Sequence, residues 1–206
     1  MLNDIRTSLA ILRNPNNGFG IILNRKNHAM QSLKYYFWIL VLYTVAIIGW
    51  YFGGAELTAP PIIPISNYYL AEIFFLMPVF FLAILSATSV AYILAKALKS
   101  QSVFDDYLSL LIQSSILPTF ITLIIDLLQA FFFTTGIIDQ KQWLELTSDG
   151  IGLIVVISYL ALYVIGFLIL FPLAVKKASG LQLFPSIVIG LFSFIVYHLY
   201  LFVFIR

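Results

Sequence analysis

The sequence predicts an all-α, polytopic membrane protein with five transmembrane helices, its N-terminus cytoplasmic, its C-terminus outside, and a short amphipathic segment at the start. Three observations predict it. Hydrophobic residues fill 62% of the 206 positions and charged ones 10%, whereas soluble domains are about 45–50% apolar and ~25% charged. Five continuous apolar runs, at residues 35–52, 70–95, 108–133, 151–175 and 183–204, approach or exceed the ~20 helical residues needed to cross a hydrocarbon core ~30 Å thick. The basic residues are distributed unevenly between the two ends of these runs, as retention of Lys and Arg on the cytoplasmic side requires. Nine of them (Arg6, Arg13, Arg25, Lys26, Lys34, Lys96, Lys99, Lys176 and Lys177) fall on one side and two, Lys141 and Arg206, on the other. The runs do not alternate over ~10 residues as barrel strands would, so helices are expected. The whole chain, 1–206, reads as one membrane domain.

Residues 1–34 form a cytoplasmic leader without the continuous apolar core or cleavage site of a secretory signal. Ile5, Leu9 and Leu12 recur at helical spacing, Asn14-Pro15-Asn16-Asn17-Gly18 breaks the pattern, and Phe19, Ile22 and Leu23 resume it beside Arg25 and Lys26. That pattern fits an interfacial segment on the inner leaflet. After the first span, Gly53 to Pro61 and on to Pro64 is too rich in Gly and Pro for regular helix, and reads as a turn-rich connector on the outer face.

In the second span Ala83, Ala87, Ala91 and Ala95 recur every four residues, a small-residue stripe against which another helix packs closely. A neighbour within the same chain is the favoured partner over a second molecule. Pro78, Pro118 and Pro172 interrupt the second, third and fourth runs and imply kinks. The third span carries Ser115, Thr119, Thr122, Asp126 and Gln129 at spacings of four, three, four and three, which puts them all on one helical face. A carboxylate at that depth costs ~3 kcal/mol even on a lenient insertion scale, so the face is expected to point into protein or a wet cavity. In the fourth-to-fifth loop Lys176 and Lys177 read as topology anchors, with anionic lipid headgroups as secondary ligands.

From the rise of ~1.5 Å per residue, Asp126, His198 and Glu72 lie about 10, 9 and 3 Å from the outer ends of their spans. Three readings stay open. The residues are structural, with Glu72 at the headgroup level, His198 bonded to Tyr159 or Tyr163, and Asp126 protonated or capped by Gln129; or they carry protons or ions; or Glu72, Asp126 and His198 together hold a divalent metal cation. No other cofactor is expected.

Several functional classes find no support. The basic residues form no stripe of the kind that binds nucleic acid. Cysteine is absent, so thiolate chemistry and disulfides are excluded. No nucleophile elbow, H-E-x-x-H pair or Gly-rich phosphate loop occurs, and the chain is not expected to be an enzyme.

Asn14-Pro15 with Phe19, Ile48-Gly49-Trp50-Tyr51-Phe52-Gly53, Ser102-Val103-Phe104 with Pro118, and Lys177-Ala178-Ser179-Gly180-Leu181 follow one another along nearly the whole chain. In order and spacing the chain resembles the Ypt-interacting-protein (Yip) family of five-span membrane proteins, particularly its bacterial members. The resemblance implies a multi-pass protein of the bacterial cytoplasmic (inner) membrane and supplies no catalytic residue. Eukaryotic relatives are associated with Rab-type GTPases, but the leader of this chain is much shorter than theirs. The leading functional expectation is a scaffold or adaptor that associates with the lipid bilayer, with itself as a homo-oligomer, or with other membrane proteins. The alternative is a small ion, proton or solute transporter or channel using Glu72, Asp126 and His198.

Overall fold

The computed structural model describes residues 2–56 and 67–204; most of the turn-rich connector, from Leu57 through Pro64, lies outside the described residues, as does Arg206. The described chain is all-helical: α1 (Leu2–Arg13), α2 (Pro15–Leu23), α3 (His28–Phe52), α4 (Tyr68–Ala97), α5 (Phe104–Thr135), α6 (Gln140–Ser148), α7 (Gly150–Ser179) and α8 (Leu183–Phe204). Five of these, α3, α4, α5, α7 and α8, are long and apolar enough to cross a membrane. Large apolar side chains stand outward on all five, among them Trp38, Phe74, Phe120, Ile154 and Phe202. In water this distribution would be costly; in lipid it is the expected one.

The long helices form a closed ring. α3 packs on α5, α5 on α7, α7 on α8, α8 on α4 and α4 back on α3. Because α4 is displaced to the α8 side, α3 and α5 become parallel neighbours. The near-constant sequence offset of their contacts, 81 residues for His28 with Ser109 and for Ser32 with Gln113, and 85 for Thr134 with Gly49, records that register.

Glycines set the closest approaches. A Cβ at Gly190 in α8 would lie 2.5 Å from the backbone nitrogen of Pro172 in α7, and one at Gly166 in α7 would lie 2.9 Å from Cγ of Pro118 in α5. Pro118 and Pro172 stay inside continuous helices, each covered by a glycine of the next helix round the ring. Pro78, also inside its helix, faces outward. At the far end, Gly49 and Gly53 bring α3 onto Ala130 and Phe133 of α5. Ala83, Ala87, Ala91 and Ala95 are all fully buried, so the stripe is consumed by packing within the chain.

The leader docks on one end of the ring. Asn14 caps α2 by accepting from the Asn17 backbone N–H at 3.2 Å, with Pro15 at the first helical position, where its missing N–H costs nothing. Phe19 and Ile22 are buried, Gly18 sits against the Ile11 backbone, and α2 rests on α5 and α7. Arg25 donates to the Thr7 hydroxyl, tying the end of α2 to α1. The side chains of Ile5 and Leu9 lie outside the described residues. At the same end, Ser100 donates to the Ser179 carbonyl at 3.0 Å and Ser102 to the Ala178 carbonyl, clasping the α4–α5 loop to the end of α7. Gly180 ends α7 at φ 69°, a left-handed position that glycine takes without strain.

Two boundaries differ from expectation. α3 begins at His28, seven residues before the apolar run, because its first polar turns pair with α5 rather than with water. α6 was not foreseen; it starts with a capping box in which Asp139 and Gln142 satisfy each other's backbone N–H groups.

Candidate functional site

The parallel contact of α3 with α5 is a seam of polar side chains. α3 supplies His28, Ser32, Tyr36, Tyr43 and Trp50, successive turns of one face. α5 supplies Asp106, Ser109 and Gln113 and then the face read from the sequence, Ser115, Thr119, Thr122 and Asp126.

At the leader end, His28 Nδ1 lies 3.0 Å from Ser109 Oγ and His28 Nε2 lies 3.5 Å from Asp106 Oδ1. One turn deeper the Gln113 amide donates to Ser32 Oγ at 3.4 Å. In mid-span the Tyr36 hydroxyl meets that of Tyr197, from α8, at 3.1 Å. Ser115 lies beside both phenols and Thr119 beside Tyr197. Further on, Asp126 faces the Tyr43 phenol, which also neighbours Thr122. Glu72 and Tyr69 of α4 lie within electrostatic range of Asp126, and the Tyr69 ring packs edge-on against Trp50 at 5.7 Å.

Among the described residues, four buried polar atoms have no hydrogen-bond partner: Trp50 Nε1, Glu72 Oε2, Gln113 Oε1 and Thr119 Oγ1. Gln113 and Thr119 lie on the seam, Trp50 at its far end and Glu72 beside that end. Each such atom costs about 1–3 kcal/mol of desolvation, and groups of this kind attract water, protons or ligand. Glu72 is the sharpest case, a carboxyl in a membrane span that is only 2% exposed.

The three ionisable residues singled out from the sequence thus have different partners. Asp126 faces Tyr43 rather than being capped by Gln129, which is half-buried. His198 Nε2 lies 3.2 Å from the Tyr163 hydroxyl and its Nδ1 3.0 Å from the Phe194 carbonyl, one of the two tyrosine pairings expected, and its ring is enclosed by Tyr163, Phe167, Phe194 and Tyr197. Glu72 is buried rather than at the surface. Among the described residues no three His, Asp or Glu side chains come together as a metal-holding group. Glu72 and Asp126 lie within electrostatic range of each other, and Tyr163, the partner of His198, also lies within range of Asp126.

Sequence reasoning found Ser115, Thr119, Thr122 and Asp126 on α5 and missed Asp106, Ser109 and Gln113 of the same helix together with the whole α3 half. The signal was present in the i, i+4 series His28, Ser32, Tyr36, but it straddles the start of the apolar run and so was divided between leader and span. No protein-family model, curated protein or solved structure matches the chain.

Proposed function

We propose that the protein is a proton-conducting or proton-coupled transporter whose path follows the α3–α5 seam. The observation that carries this reading is the row of exchangeable groups from His28 to Asp126, with unmet buried polar atoms at intervals along it. Hydroxyl, imidazole and carboxyl groups pass protons by short hops, an amide holds water between them, and ionisable groups inside spans mark such relays in pumps and transporters. Side chains closed against one another at 3.0–3.4 Å suit a proton better than a hydrated ion. In this reading Glu72 and Asp126 are the carboxyls that take up and release the proton at the outer end, and the leader end is cytoplasmic, as the Lys and Arg distribution favours. The Yip-type resemblance and a place in a bacterial inner membrane belong to the same proposal.

Liposomes containing purified protein and a trapped pH dye test the path. An imposed gradient collapses through wild type and is held by Asp126→Asn and Glu72→Gln. Wild-type vesicles as tight as protein-free ones would refute the path. A scaffold is the second reading, and it rests on α7, the least buried of the five long helices, whose outward Ile154, Ile157, Leu162 and Ile165 offer a continuous apolar face. Crosslinking between cysteines introduced on the outward face of α7, in otherwise silent vesicles, favours it.

A further inference from the structure

A proton path needs a contact with water at each end, and the leader end offers one. A cleft of about 550 Å3 lies between the first turns of α3 and α5, lined by Asn27, His28, Met30, Leu33 and Asp105 among others. His28 lines this cleft and also reaches the seam, since Nδ1 meets Ser109 and Nε2 lies beside Asp106. One turn further in, Gln113 Oε1 is buried without a partner in a residue only 1% exposed. Four residues of helix correspond to ~6 Å, a step that one ordered water bridges.

Resting on the transport reading, we infer that His28 is the port of the seam, carrying protons between water in the cleft and the Ser109–Gln113 side. The transfer balances on the imidazole itself. Nε2 takes a proton from hydronium in the cleft, leaving water; Nδ1 then gives up its own proton toward Ser109 and the water held by Gln113; exchange of the tautomer restores the ring. Asp106, beside Nε2, stabilises the transient cation, and Asp105 is the other charged group lining the cleft. Asn27, held in left-handed geometry at φ 56°, begins α3 where this ring must be placed. The competing account is that His28 only braces the starts of two helices. A brace would be replaced by any side chain that hydrogen-bonds Ser109, and a relay would not.

The test is proton flux in liposomes with His28→Ala and His28→Gln, each with and without imidazole, subtracting the leak that imidazole causes in protein-free vesicles. A relay predicts that both variants slow flux about tenfold while melting stays cooperative, and that imidazole restores His28→Ala, whose cleft has room for it, much more than His28→Gln. Wild-type flux in His28→Gln overturns the port, as does loss in His28→Ala that imidazole leaves unchanged. If wild type conducts and only these signatures fail, the port is wrong and the path stands. If wild type itself is silent, both fall.

Discussion

Two walls of the ring are built on opposite principles. Where α7 meets α8, consecutive antiparallel helices close on each other through Gly190 seated on Pro172, and Phe167 and Phe171 stack with Tyr197 at 5.3 and 5.9 Å. Where α3 meets α5, parallel helices meet for much of their length through hydroxyls, an amide and an imidazole, and buried polar atoms of Trp50, Gln113 and Thr119 go unmet. Lipid gives helices no hydrophobic reason to associate, so close packing and hydrogen bonds hold such bundles together. The first wall uses packing to a degree that leaves no space for a methyl group. The second keeps polar groups whose desolvation is only partly offset, at a cost in stability that an apolar seam would not carry.

Four substitutions break or sharpen that contrast. Gly190→Leu drives a side chain into the Pro172 backbone; overpacking costs about 1–3 kcal/mol, occasionally more, and here the contact is with backbone, so loss of the cooperative melting transition in detergent is expected. Glu72→Leu has the opposite sign. Removing a buried carboxyl with an unmet oxygen raises stability by about 1–3 kcal/mol, measured by thermal unfolding, while abolishing flux. A destabilised Glu72→Leu protein would mean that the carboxyl is satisfied after all. Tyr36→Phe deletes the hydroxyl facing Tyr197 and lowers stability by about 1 kcal/mol, yet it interrupts the seam and slows flux about tenfold. The smallest effect belongs to Asp139→Ala, which removes the cap of α6. A lost cap costs about 0.5–2 kcal/mol locally, seen as faster amide exchange in α6, with global melting and flux unchanged because α6 lies outside the ring, resting mainly on α7 with one ring contact from Trp143 to Phe132 of α5.

How much of this was legible depends on which physical signal each element carries. The five long helices could be read because a span must be apolar throughout, and length and hydropathy mark that without tertiary information. α6 could not be read that way. Its Asp139 and Gln142 form a capping box by side-chain geometry that sequence only hints at. Thr119 and Asp126 were visible as a face because a single helix carries them, and the period of 3.6 reports faces. Their partners Tyr36, Tyr43 and Tyr197 come from helices 80 or so positions away, and no local pattern announces which helices become neighbours. His28 was assigned to the leader for a related reason, since hydropathy places a helix start where apolar residues begin, whereas this helix starts where Ser109 and Asp106 receive it.

The 81-residue offset that joins His28 to Ser109 and Ser32 to Gln113 also fixes a waiting time during synthesis. At about 5–20 residues per second, translating those 81 residues takes about 4–16 s. Throughout that interval the polar flank of the first span has emerged and its partners have not yet been made. Water or the insertion machinery must satisfy that flank until the third span arrives, and the seam closes only once at least three spans have been made.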